Sequence, residues 1–315
     1  MKILFAPLQG YTEDAYRRLH HQLCGGVDEY YTPFVRLENE EIRSKDARDI
    51  NPKHNEGVPT VPQVIARDGK ELQTLLTTII PLGYRHIDIN MGCPFPLQTR
   101  HGRGAGILPH PDKVIEICKI IQDLSADKER EDGKQVSFSV KMRLGLEGRD
   151  EWKEIITILN DTPLRHITLH PRVGIQQYKG ETDMEAFEEF LHLCNHPVVY
   201  NGDITTPEQI EHMASTYPLH GIMLGRGLLA RPTLAAEYRQ GYELSAQQRI
   251  ATVKQLHERL LAHYANVIPA ETQRLMKIRT FWDYMEPQLD RKQWKKIVKA
   301  GNMKNYLAAI DALSV

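Results

Sequence analysis

Short apolar runs recur along the chain, and stretches with helical spacing of apolar residues separate them. The runs predict strands at Ile3–Ala6, near Glu29–Thr32, and at Thr60–Ile65, His86–Asn90, Val136–Lys141, His166–His170, Val198–Asn201 and Gly221–Leu224. Amphipathic stretches such as Lys70–Leu82, Asp112–Leu124, Trp152–Leu159, Met184–Cys194 and Pro207–Ala214 predict helices between them. Strands that read as near-continuous apolar runs belong to a parallel sheet covered on both faces. Eight such units fit a closed (β/α)8 TIM barrel better than a doubly wound sheet. After about Tyr242 the strand pattern stops. Ser245 can cap a helix through Gln247–Tyr264, and Ala270–Met285 and Arg291–Ala300 read as two more, punctuated by Pro269, Pro287 and Gly301. The expected organisation is an α/β barrel over residues 1–242 and a C-terminal all-helical domain over 243–315. The mixed-charge stretch Ser125–Gln135 reads as a solvated connection.

The polar residues gather at the strand ends. Pro7-Leu8-Gln9-Gly10, Arg36, Gln63, Asn90 with Cys93, Lys141 with Arg143, His170 with Arg172, Asn201-Gly202-Asp203 and Gly225-Arg226-Gly227 each follow or close a predicted strand. In a barrel all these ends meet on one face, where active sites are built. Any one of them alone is an ordinary loop residue, but so many coinciding endings are not. Cys93 stands on a turn just past its strand, locked by Pro94, with the run Gly102-Arg-Gly-Ala-Gly106 beyond it. A thiol there, beside backbone able to approach a ligand, suggests a reactive group next to a bound cofactor. The competing reading is a small buried hydrophobe.

The loops after strands 7 and 8 form the usual phosphate pocket of barrel enzymes. Asn201-Gly202-Asp203 and Gly225-Arg226-Gly227 supply glycine backbone and a forked cationic donor for that purpose. Lys141 at a strand end could place its ammonium against the anionic ring of a reduced flavin, although a lysine snorkelling to solvent is commoner. His170 could bond the same ring or its phosphate, and the planar amide of Gln63 suits the ring edge.

Composition adds limits rather than chemistry. Hydrophobic residues at 41% and charged residues at 26% are ordinary for a globular chain. No run approaches the roughly 18 apolar residues of a membrane span. The stretch before Pro7 is too short for a signal peptide. Four scattered cysteines argue against a disulfide framework and against a zinc site, so the cytoplasm is the expected compartment, with no metal. Charge is uneven: residues 270–315 hold nine Lys/Arg against five Asp/Glu, a balance of +4 in a chain whose total is −1. A basic tail on an acidic body can grip a polyanion.

Taken together, Ala6-Pro7-Leu8-Gln9-Gly10, Pro62-Gln63-Val64, Asp88-Ile-Asn-Met-Gly-Cys-Pro94, Gly104-Ala105, Val140-Lys-Met-Arg143, His170-Pro-Arg172, Asn201-Gly202-Asp203 and Gly225-Arg226-Gly227 resemble, in order, the motifs of tRNA-dihydrouridine synthases. The likeness covers roughly residues 3–240, and the tail fits the family's RNA-binding domain more loosely. Thr32-Pro-Phe-Val-Arg36 and the short tail look most like the bacterial C-type subgroup. The resemblance implies FMN on the barrel's carboxyl face, reduced by NADPH (or NADH). It implies hydride transfer to C6 of a tRNA uracil and a proton from Cys93 to C5, with U16 in the D-loop as the candidate position. Ala6, Pro7, Leu8, Gln9, Gln63, Lys141, His170, Asn201, Gly202, Asp203, Gly225 and Arg226 would hold the cofactor. Asn90 would bond the pyrimidine edge, and Arg36, Arg143, Arg274, Lys277 and Arg279 would meet the RNA. No membrane or obligate protein partner is implied.

Three departures stand out. Pro96 occupies a position where lysine is common, Leu8-Gln9-Gly10 replaces Met-Glu-Gly, and Arg100, His101 and Arg103 enter the glycine-rich loop. They bear on which uridine is chosen. Two other readings share these residues. A small-molecule FMN oxidoreductase of the dihydroorotate or dihydropyrimidine dehydrogenase type has no need of a basic tail. A non-catalytic RNA-binding barrel has no need of Cys93 with Lys141.

Overall fold

The computed structural model describes residues 1–126 and 135–313. Eight strands run in parallel: β1 (Lys2–Phe5), β2 (Glu29–Tyr31), β3 (Thr60–Val61, continuing as Gln63–Val64), β4 (His86–Met91), β5 (Ser137–Gly145), β6 (Leu164–Val173), β7 (Val198–Tyr200) and β8 (Gly221–Leu224). The sheet begins and ends with the two pieces of β3, on either side of Pro62. Thr32 N–H donates to the Val61 carbonyl at 3.0 Å on one side, and Asp88 N–H to the Pro62 carbonyl at 2.9 Å on the other. Those bonds close the barrel, and the eightfold reading of the apolar runs holds.

Alternation sorts each strand into an inner and an outer row. In β4, Ile87, Ile89 and Met91 join the main core outside the barrel, where the surrounding helices pack. His86, Asp88 and Asn90 point inward. Register then stacks the inner residues in layers. Gln63, Asp88 and Ser139 lie side by side; Asn90, Lys141 and Thr168 form the next row; Arg143 sits beside His170 above them. Across the barrel the lining is apolar: Leu4, Ala6, Tyr31, Val61, Val199 and Met223 form a separate small cluster.

β5 and β6 extend past the predicted ends, to Gly145 and Val173. Their last residues include Arg143 and Arg172, so the apolar pattern stops before the hydrogen-bonded ladder does. Among the described residues, six α-helices lie outside the predicted stretches; two of them show why. Asp14–Leu23 buries Arg17 and His20, which blur its apolar face. Met303–Asp311 is short, and its cap Asn302 accepts from Asn305 N–H at 2.8 Å. The charged stretch between Ala126 and Gln135 lies outside the described residues.

In the tail, Ser245 caps α1 (Ala246–Val267) as expected, accepting from Gln248 N–H at 3.2 Å. Then follow α2 (Glu271–Arg279), α3 (Arg291–Val298) and α4 (Met303–Asp311). Leu256, Leu260, Leu275, Ile278 and Trp282 belong to the same core cluster as the barrel's outer residues. The tail is therefore packed on the barrel rather than tethered to it.

Candidate active site

The carboxyl ends of the strands open into one cavity of about 1040 Å³. Cys93, half-buried, stands on its wall. Asn90 shapes the turn that carries it, because its side-chain oxygen accepts from Gly92 N–H at 3.0 Å and Cys93 N–H at 2.8 Å. The glycine-rich run braces this turn from behind. Ala105 N–H donates to the Cys93 carbonyl at 3.0 Å. Gly104 has φ +61, and a Cβ there would stand 2.6 Å from that carbonyl oxygen. Glycine is needed so the backbone can approach Cys93, not a ligand as the sequence suggested. Burial pushes the Cys93 thiol above its ordinary value, with the Phe95 backbone, Arg143 and Lys141 pulling the other way. The thiol keeps its proton at neutral pH.

The same cavity holds a cluster of cationic side chains. Lys141 reaches the cavity wall, where burial and then Arg143 push its ammonium down to about 8. Among the described residues it has no hydrogen-bonded or ion-paired partner. Arg172 is buried and bridges His170 Nε2 and Asp203 Oδ1, both at 3.1 Å. A guanidinium only donates, so His170 accepts at Nε2 and carries its proton on Nδ1. Burial, followed by Arg143, Lys141 and Arg172, holds this imidazole well below its usual pKa, hence neutral. Asp203, at φ +41, also grips Arg226. Burial raises that carboxyl, yet the two arginines outweigh it and keep it ionised. The cluster thus holds one anion against Lys141, Arg143, Arg172 and Arg226, and is short of negative charge. A phosphate or an anionic ring fits that deficit.

A family model for dihydrouridine synthase (Dus) matches residues 4–312. The chain belongs to the dihydrouridine synthase family. A tRNA-dihydrouridine(16) synthase of Neisseria meningitidis serogroup B (strain ATCC BAA-335 / MC58) is 28% identical over 76% of this chain and 71% of that protein. The tRNA-dihydrouridine synthase B of Escherichia coli (strain K12) is 26% identical over 95% of this chain and 91% of its own length. Among solved structures, morphinone reductase superposes with a TM-score of 0.54 at 9% identity, covering 78% of this chain and 87% of that one. That likeness speaks for the barrel fold alone.

Most of the expected site residues of this dihydrouridine synthase do meet. Ala6, Pro7, Leu8 and Gln9 from the end of β1 line the cavity, with Asn90, Lys141, Arg143 and His170. Asn201, Gly202, Asp203, Gly225 and Arg226 line it as well, and so does Arg36. An added Cβ at Gly202 would meet Tyr200 Oη at 2.7 Å, so that loop has no room for a side chain.

Gln63 does not reach the wall. It is fully buried, and its amide is taken up by Asp88 at 2.7 Å and Asn90 at 2.7 Å. The tail cations are also placed differently from expectation. Lys277 donates to the Gly10 carbonyl at 2.8 Å and pairs with Glu13 at 2.6 Å, tying α2 to the barrel. Arg279 bonds the Ala300 carbonyl at 3.0 Å, and Arg274 the Ile268 carbonyl at 3.2 Å. Arg143 is buried, with its guanidinium on the carbonyls of Val173 (3.0 Å) and Gln177 (2.8 Å). Arg103 is paired with Glu71 away from the cavity.

Sequence reasoning passed over Tyr178, whose ring lies under Arg226 at 4.4 Å and near Arg143 at 5.7 Å. It also passed over Phe95 and Leu97, exposed apolar residues on the cavity lip. Arg172, noted only as a strand ending, is the hub of the charged cluster.

Proposed function

We propose that this chain reduces one uridine of tRNA to 5,6-dihydrouridine. FMN would be held on the carboxyl face, with NADPH or NADH as reductant and U16 as the target position. The observation that carries this reading is a protonated thiol and an unpaired ammonium, Cys93 and Lys141, lining one cavity. When bound, the flavin would supply the hydride that C6 of the pyrimidine receives.

The chain's own residues do the rest. Lys141 offers its charge to the ring, and Arg226 with the Gly202 and Gly225 backbone offers donors to the phosphate. Cys93 holds the proton destined for C5, and the turn set by Asn90 keeps the thiol at the wall. Tyr178 and Phe95 offer flat apolar surface to a base drawn out of its stack. We assign chemistry to residues 1–242 and the RNA-facing surface to the rim and residues 243–315.

Two results test the proposal. The purified protein is expected to be yellow and to release FMN on denaturation. A strain lacking it is expected to lose dihydrouridine at one tRNA position, with U16 first in line. Unchanged dihydrouridine at every position would remove the assignment.

A further inference from the structure

β4 carries His86, Asp88 and Asn90 on its inner face, and their hydrogen bonds form a line whose direction can be worked out from both ends. At the lower end, Arg165 Nη1 lies 2.9 Å from His86 Nδ1 and can only donate to it. Burial, then Arg165, pushes His86 down to about 4, so the ring is neutral with its proton on Nε2. That proton faces Ser139 Oγ at 3.0 Å, and the Ser139 hydroxyl therefore donates to Asp88 Oδ1 at 2.5 Å. At the upper end the Gly92 and Cys93 N–H groups donate to Asn90 Oδ1. This turns Asn90 Nδ2 onto Gln63 Oε1, and Gln63 Nε2 onto Asp88 Oδ2, each at 2.7 Å. Both arms arrive at Asp88 as donors.

We infer that Asp88 and Gln63 are positioning residues: the Asp88 carboxylate, acting through the Gln63 amide, fixes which end of Asn90 faces the Cys93 turn. The inference rests on the proposed proton-donor role of Cys93. Its physical content is directional. If Asp88 takes up a proton on Oδ2, an acceptor becomes a donor facing the Gln63 amino group; on Oδ1 the Ser139 hydroxyl can accept it, but gives up its own acceptor at Asp88. Turning Gln63 sets its amino group against that of Asn90; turning Asn90 sets an amino group against two backbone N–H groups. A buried mismatch of that kind leaves a polar group without its partner and disfavours the arrangement.

The carboxyl is poised for such a change. Asp88 is fully buried, which raises it to about 7 against the pull of Gln63, Ser139 and Lys141. The charged and titratable groups around it are Lys141 on β5, Glu29 and Tyr31 on β2, Arg165 and His166 on β6, and His86 on its own strand.

The test uses the full chain as purified and three variants: Asp88→Asn, Gln63→Glu and the double variant. Asp88→Asn keeps the shape but leaves one acceptor for two donors. Gln63→Glu sets two carboxyls against each other. The double variant restores every bond: the carboxylate at position 63 accepts from Asn90 and from the amide at position 88, whose oxygen accepts from Ser139. Iodoacetamide alkylation of Cys93, resolved by mass spectrometry from about pH 6 to 9, is read beside dihydrouridine turnover per bound flavin. Each single variant is expected to lose about tenfold in turnover, and the double to recover to within about threefold of wild type. The wild-type alkylation profile is expected to bend near neutrality, and Asp88→Asn to remove the bend. Melting temperatures separate these effects from loss of fold. Singles equal to wild type, or a double variant no better than the singles, would overturn the inference. Absence of dihydrouridine formation by wild type would instead overturn the proposed reaction, while the alkylation series still decides the positioning.

Discussion

The two halves of the barrel lining are built on opposite terms. From β7 through β8 and β1, the interior is Val199, Met223, Leu4 and Ala6, with Tyr31 and Val61 beside them. From β3 through β6 it is Gln63, Asp88, Asn90, Ser139, Lys141, Thr168 and His170. Each large apolar side chain of the first half contributes about 1.5–3 kcal/mol by leaving water. Each polar group of the second half is a cost unless a partner meets it. Side chains of that second kind are kept in a core for what they do rather than for stability. The comparison therefore separates a half that holds the barrel together from a half to which the proposed reaction is assigned.

The sharpest way to break this division is Cys93→Ala. Turnover is expected to fall about 10²- to 10⁴-fold, the usual worth of a positioned proton donor, with flavin absorbance and melting temperature unchanged. A variant that melts early would put Cys93 in the structural half after all. Leu4→Ala makes the reverse case. Leu4 is fully buried in the apolar cluster, and its truncation is expected to cost about 3–5 kcal/mol in denaturant unfolding. Turnover per folded molecule is expected to stay at the wild-type level.

Lys141→Met tests the same line from the other side. Lys141 is half-buried at the cavity, has no hydrogen-bonded or ion-paired partner among the described residues, and its ammonium is held down to about 8. The folded state thus binds fewer protons than the unfolded chain between about pH 8 and 10.5, and wild-type stability gains from Lys141 as pH rises through that window. The variant is expected to lose that alkaline gain, to melt higher at pH 7 by about 1 kcal/mol, and to bind FMN more weakly. Weaker folding at pH 7 would mean that Lys141 is a structural cation.

How much of this was legible in the sequence follows from what alternation can say. His-Ile-Asp-Ile-Asn-Met in β4 announces two faces, and strands ending in Arg143, His170 and Arg226 announce one crowded rim. Pattern tells which face a residue takes, but not which neighbour meets it there. Gln63 shows the gap: the register placing it beside Asp88 decides that its amide serves Asn90 rather than the cavity wall. Lys277 shows it again, since Gly10 and Glu13 lie at the opposite end of the chain. Gly104 was legible as a position needing glycine, yet its close neighbour is Cys93 itself.

The smallest expected effects lie in the tail, where the same contrast between held and offered side chains recurs. Lys277, Arg279 and Arg274 are all bonded to the protein's own backbone, so their charges act first on packing. Lys292, Lys295, Lys296 and Lys299, on and just after α3, are exposed and have no carboxylate partner among the described residues. Removing the whole tail cannot separate these roles, because Leu256, Leu260 and Trp282 would leave the shared core uncovered. Single charges can. If α3 meets RNA, Lys295→Gln and Lys296→Gln are each expected to lower the slope of log affinity against log salt by about 0.7–0.9, with melting unchanged. Lys277→Met is expected to do the converse, lowering the melting temperature while leaving the salt slope within error. A slope that moves with Lys277 and not with α3 would return the RNA contact to α2, where the sequence first placed it.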